Sequence, residues 1–133
     1  MPLFVPPGAY AAARTHLLDQ VASCGRDPAS FASAVVVPVC TGTSTEVARE
    51  AGTLWLSDLY DLPPKAFQRH LIAGTPEDCA GALDVYRDAG AGHIVVMVAA
   101  DETLDHFGPL TEALTPRPAP TPLAEPARLG AAP

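Results

Sequence analysis

The stretch Gly74–Val98, GTPEDCAGALDVYRDAGAGHIVVMV, carries a signal for a turn, a helix, a second turn and a buried strand, in that order. Thr75 is a good helix N-cap, Pro76 suits the first helical position, where no N–H is required, and Glu77 and Asp78 set negative charge at the positive end of the helix dipole. Cys79, Leu83 and Tyr86, with Ala82 beside them, recur at spacings of three and four and form one apolar stripe. Gly90 then supplies a residue able to take a left-handed C-terminal cap. Ile94 to Val98 is an unbroken apolar run rich in β-branched residues, which predicts a strand covered on both faces, as in a parallel sheet flanked by helices. The stretch therefore reads as the second half of a β/α repeat.

The preceding sequence repeats the pattern. Met1 to Val5 is short and apolar and predicts the end of a strand, closed by Pro6, Pro7 and Gly8. Ala9 to Cys24 predicts a helix with Tyr10, Ala13, Leu17, Val21 and Cys24 along its apolar side, ended by Gly25, while Arg14 and His16 fall off that stripe and are expected in solvent. Ala32 to Cys40 contains Val35, Val36, Val37 and Val39 and predicts a second fully covered strand. Pro38, which has no N–H to give a ladder, marks either an edge or the strand's end. Thr43 and Glu46 have capping-box spacing, opening a helix from about Ser44 towards Leu62, with Val47, Ala51, Leu54 and Asp58 or Leu59 along its inner side, and Pro63-Pro64 beyond it. Trp55, Tyr60 and Phe67 are read as packing residues. Lys65 to His70 predicts a short helix, and Leu71, Ile72 and Ala73 lead into the Gly74 turn. After the last strand Asp101 is the expected N-cap of a helix carrying Leu104, Phe107, Leu110 and Leu114, kinked by Gly108-Pro109.

The Gly74–Val98 stretch followed by DETLDHFGPLTEAL, Asp101 to Leu114, resembles the C-terminal end of the luciferase-like flavin-dependent oxidoreductases and monooxygenases, and GRDPASFASAVVVPV, Gly25 to Val39, resembles the repeat before it. The resemblance runs from about Pro2 to Leu114. It implies an α/β fold, the C-terminal portion of a TIM-type (β/α) barrel, with two to three parallel strands and flanking helices. It also implies FMN or a deazaflavin coenzyme, and the segments that usually hold the flavin phosphate and supply the substrate acid or base lie upstream of the matched region. No catalytic or cofactor-binding residue is therefore carried over. Residues 1–115 are assigned to the partial barrel and 116–133, punctuated by Pro116, Pro118, Pro120, Pro122 and Pro126, to a disordered Pro/Ala-rich tail.

Composition limits the function classes. At 133 residues the chain has about half the roughly 250 residues of a typical barrel. Formal net charge is -7, from 8 Lys+Arg against 15 Asp+Glu, which disfavours nucleic acid and anionic membrane as partners. Cys24, Cys40 and Cys79 are odd in number, without C-x-x-C spacing, and are expected as buried, reduced thiols; no metal site is suggested. Apolar segments are too short to cross a bilayer, so the cytoplasm is the expected compartment.

The chain carries no G-x-S-x-G, H-E-x-x-H, Walker-type lysine loop or G-x-G-x-x-G after a strand. Gly90-Ala91-Gly92 is a helix cap, since it follows a helix rather than opening one. Thr41-Gly42-Thr43 follows a strand and opens a helix, where backbone N–H groups can meet an anion, although capping explains the same residues. Asp101, Asp105 and His106 are assigned to a solvated helix face. Barrel sites lie at the C-terminal ends of strands, so the expected pocket walls are Cys40, Thr41 and Thr43 after one strand and Val98, Ala99 and Ala100 after the last. Two readings follow: an incomplete flavin-dependent oxidoreductase that acts only when a partner chain or second copy completes the barrel, or a non-catalytic barrel-completing or binding subunit, or truncated remnant. The expected strand order is the N-terminal strand, 32–40, then 93–98, all parallel.

Overall fold

The computed structural model describes residues 4–114; the expected tail over 116–133 and most of the expected N-terminal strand lie outside the described residues. The elements are helix α1 (Pro7–Ser23), strand β1 (Ala34–Thr41), α2 (Thr45–Tyr60), β2 (Ile72–Gly74), α3 (Pro76–Asp88), β3 (His93–Val98) and α4 (Thr103–Ala113). Short 3₁₀ turns at Pro28–Ser30 and Pro64–Ala66 join them. The second stands where a short helix was expected.

The three strands form one parallel sheet in the order β2-β1-β3. β1 and β3 pair from Ala34 opposite His93 to Val39 opposite Val98, which is the parallel pairing of the two valine-rich strands expected from the sequence. The other neighbour of β1 differs from expectation. Residues 4 and 5 form no strand, although the Phe4 N–H donates to the Val36 carbonyl (3.3 Å), and β2, read from sequence as a lead-in, occupies that flank instead. β1 sits between the two strands that follow it, in a three-stranded parallel sheet with flanking helices.

β1 continues through Pro38 to Thr41. The missing N–H is tolerated because β2 begins pairing only at Val39, so the β2 flank has no ladder at the proline.

Alternation divides the sheet into two faces. Val35, Val37 and Val39 of β1, with Ile94 and Val96 of β3, join Cys79, Leu83 and Tyr86 of α3, Tyr10 of α1 and Leu110 of α4 in the larger core. On the other face Cys40 and Met97 meet Ala48 and Leu56 of α2, with Phe67, Leu71 and Ala99. Phe4, Tyr60 and Phe67 add edge and tilted ring contacts with centroids 5.7 to 6.4 Å apart, so the last two are packing residues as expected. This second face is covered only towards the C-terminal ends of the strands: Val95 is 46% exposed, against the expectation of cover on both sides.

α3 matches its sequence closely. Thr75 and Asp78 form a reciprocal capping box, and Gly90 (φ +95°) ends the helix, with the Ala91 N–H donating back to the Tyr86 carbonyl (3.0 Å). The other helices depart in detail. On α1 only Tyr10 is buried; Leu17 is 44% exposed, Cys24 is exposed rather than buried, and Arg14 is half-buried rather than solvated. The buried face of α2 is Ala48, Gly52, Thr53 and Leu56, while Val47, Leu54 and Leu59 are half exposed or more. A Cβ at Gly52 would meet Leu71 Cδ2 at 2.7 Å and Cys40 Cβ at 2.8 Å, so small residues let this helix approach the sheet. A stripe chosen by the largest apolar residues is therefore about one residue out of phase. Asp101 does not cap α4, whose N-cap is Glu102 without a side-chain hydrogen bond.

The cap of α2 also moves by one residue. Ser44, not Thr43, accepts the Val47 N–H (3.3 Å), while Thr43 is exposed. Ser44→Ala is expected to cost about 1 kcal/mol and Thr43→Ala a few tenths, read from the midpoints of urea unfolding.

Candidate functional site

Two strand ends, one helix and the start of another enclose a cavity of about 300 Å³ at the C-terminal edge of the sheet. Cys40 comes from β1, and Ala99, Ala100 and Asp101 follow β3. Trp55 and Asp58 project from α2, and His106 from α4. Each is placed by the fold just described: the Gly52 approach brings α2 over the strand ends, and the chain reverses after β3 to carry His106 back over β1.

Two polar contacts fix the walls. His106 Nδ1 lies 2.8 Å from Thr41 Oγ1, and the Trp55 Nε1–H donates to Asp101 Oδ1 (2.9 Å). Thr41 is 8% exposed, so its hydroxyl is held in place by this pairing. Asp101 and His106 are thus drawn into a structured pocket edge, whereas the sequence assigned Asp101, Asp105 and His106 to a solvated face; Asp105 is exposed. Of the expected wall residues, Cys40, Ala99 and Ala100 line the cavity, Thr41 adjoins it through His106, Thr43 points to solvent and Val98 is buried. Trp55 was read as packing and Asp58 as one side of a helix stripe. Nothing local links Trp55 to an aspartate 46 residues away, so sequence spacing carried no signal for that contact.

The turn that opens α2 does not present a free anion cradle. The Gly42 N–H donates to the Gly74 carbonyl (2.8 Å), and Ser44 takes the Val47 N–H. No Arg or Lys lines the cavity, and its volume is at the lower end of ligand sites. These residues fit the wall of a small organic substrate or the edge of a ring. They do not fit the phosphate-bearing part of FMN or a deazaflavin, and no reaction step is derived through such a group. Among the described residues no group of three or more His, Cys, Asp or Glu is placed to hold a metal ion, and no helix is long and apolar enough to cross a membrane.

Cys40 lines this site, and Cys79 is buried in the larger core on the other face of the sheet. The Cys79 Sγ–H points to the Cys40 carbonyl (3.7 Å) and the Gly74 carbonyl (3.8 Å). Burial, with smaller contributions from Cys40 and Asp78, pushes the Cys79 thiol up to about 11, and burial also raises Cys40. Folding therefore favours the neutral thiol. That contribution is complete below the unfolded value of 9.0 and is lost as pH rises towards about 11. Stability should fall across this window by an amount on the order of 3 kcal/mol from Cys79. Urea unfolding at the two ends of the window checks it, and Cys79→Ala should flatten the slope.

No protein-family model matches the chain, and no curated protein matches it in sequence. Among solved structures, the fold resembles that of an F420-dependent secondary alcohol dehydrogenase in complex with an F420-acetone adduct, with a TM-score of 0.67 and 14% identity. The match covers 84% of this chain and 40% of that one, so this chain spans well under half the length of the enzyme. At this identity the likeness establishes the fold alone.

Proposed function

We propose that the chain is the C-terminal part of a luciferase-like, deazaflavin-dependent oxidoreductase, and that it acts when further strands, from another polypeptide or another copy, complete the barrel around its sheet. The fold likeness to an F420-dependent dehydrogenase across 84% of this chain but 40% of that one carries the reading. The half-open second face, where Val95 is 46% exposed, supports it, because a parallel sheet is ordinarily covered on both sides. In that assembly the cavity at Cys40, Trp55, Asp101 and His106 forms part of the substrate wall. His106, held through Nδ1 by the Thr41 hydroxyl, is the wall's one imidazole. The cytoplasm is its proposed setting.

A second reading, a non-catalytic binding or barrel-completing module, is supported by the lack of any Arg or Lys along the cavity to hold a coenzyme phosphate. Titration with F420 and FMN separates the two. The lone chain is expected to show no micromolar affinity, which requires about 8 kcal/mol. Adding the chain that supplies the missing strands is expected to create F420 binding under the first reading and none under the second. Tight stoichiometric binding by the lone chain would overturn the incomplete-barrel reading.

A further inference from the structure

The chemistry of the strand-end cavity is one-sided. Asp58 of α2 and Asp101 after β3 bring two carboxylates to a space of about 300 Å³, and neither Arg nor Lys lines it. Leu54, Ala99 and the Trp55 ring supply the apolar part of the wall. His106 completes the lining, with its Nδ1 taken up by the Thr41 hydroxyl (2.8 Å).

Asp101 acts on Trp55 in two ways. By accepting the Nε1–H (2.9 Å) it fixes one edge of the indole, and an anion at that N–H polarises the ring, adding to the negative potential over its face. The ring is also fixed through its backbone, because Gly52, three residues earlier, seats α2 against Leu71 and Cys40. A preset aromatic face beside carboxylates is the chemistry that recognises substituted ammonium groups: the quadrupole attracts the charge, and the carboxylates neutralise it without demanding the N–H donors that a quaternary nitrogen lacks.

We propose that this cavity binds a small organic cation, a quaternary or alkyl-substituted ammonium, with its charged head against the Trp55 indole and the carboxylates of Asp58 and Asp101 and its alkyl groups against Leu54 and Ala99. Charge complementarity selects this class. An anion meets two carboxylates and no Arg or Lys, a neutral molecule gains nothing from either acid, and a bare metal ion lacks a group of three ligands among the described residues. The proposal names the ligand class of the cavity assigned above to the substrate wall and rests on that assignment. It does not require the barrel to be completed, because the groups that meet the cation all come from α2 and the turn after β3.

Trp55 is the chain's one tryptophan, so its fluorescence reads the site directly. The test titrates the full chain with choline and with its neutral isostere 3,3-dimethylbutan-1-ol at fixed ionic strength. Choline is expected to change the Trp55 emission saturably and to bind at least about fivefold more tightly than the alcohol, as a cation–π contact joined to carboxylates implies. Asp58→Asn and Asp101→Asn should each weaken choline by about two- to fivefold, the second while leaving an amide oxygen to accept the Trp55 N–H. Asp19→Asn makes the same change in net charge on α1, outside the cavity lining, and should leave choline binding unaltered. No saturation with choline, equal affinity for choline and the alcohol, or an Asp19→Asn loss as large as that of Asp58→Asn would overturn the proposal, the last by tracing binding to the acidic protein as a whole. A lone chain that binds choline, followed by no F420 binding once the completing chain is added, would sink the oxidoreductase reading and leave the cation site standing.

Discussion

Val96→Asp is expected to unfold the chain, whereas Val95→Asp is expected to leave it folded and to abolish the completion of the barrel proposed above. The two residues are neighbours on β3, but alternation sends them to opposite faces. Val96 packs against the larger core with Val37, Leu83 and Leu110. A carboxylate there has no partner, and the cost of several kcal/mol is comparable with the whole stability of a small domain. Val95 is 46% exposed on the half-open face, so a carboxylate there remains hydrated until another chain covers it. Circular dichroism of each variant, with sedimentation in the presence of the completing chain, checks the pair. A Val95→Asp chain that still assembles would remove the open face from the interface.

Gly52→Ala is expected to destabilise the protein by about 2 kcal/mol, although alanine is the better helix former by about 1 kcal/mol. The added methyl would sit 2.7 Å from Leu71 Cδ2 and 2.8 Å from Cys40 Cβ. Leu71 can rotate away, but the β1 backbone that carries Cys40 is paired with β2 there and with β3 up to Val39, and cannot. The helix must therefore move out, loosening Leu56, which is fully buried beneath it. Because Cys40 and Trp55 line the strand-end cavity, the same displacement enlarges that site. A shift in urea midpoint together with a red shift of Trp55 fluorescence is the expected result; an unchanged midpoint would show that α2 adjusts freely.

The β/α character of the chain was legible where local chemistry and packing agree. In Gly74–Val98 the cap, the stripe and the glycine stop each depend on residues within one turn of one another, and each is present as read. The Val35–Val39 run likewise forms the central strand. Reading failed where the deciding contact is distant or made by small residues. α2 turns Ala48 and Gly52 inward because close approach outweighs the burial of Val47 and Leu54, and hydrophobicity alone cannot rank that. β2 has only three residues and no alternation of its own, so its pairing with Val39–Thr41 is a tertiary fact. The candidate site was half legible: the rule that sites lie at strand ends located Cys40, Ala99 and Ala100, while His106–Thr41 and Trp55–Asp101 join residues far apart in sequence.

The position of β1 between two later strands also sets the order in which the chain becomes safe from aggregation. β1 is synthesised first, yet its main partner, β3, begins about sixty residues further on, and β2 gives only three paired residues before then. Until β3 emerges, a valine-rich strand has unpaired backbone along most of both edges, the state in which nascent sheets capture other chains. Loop closure across that separation is a slow, non-local step. Pulsed hydrogen exchange during refolding should therefore protect the α3 amides, whose helix is capped locally, before those of Val35–Val37. A chain cut before His93 should remain in the exposed state and accumulate as aggregate.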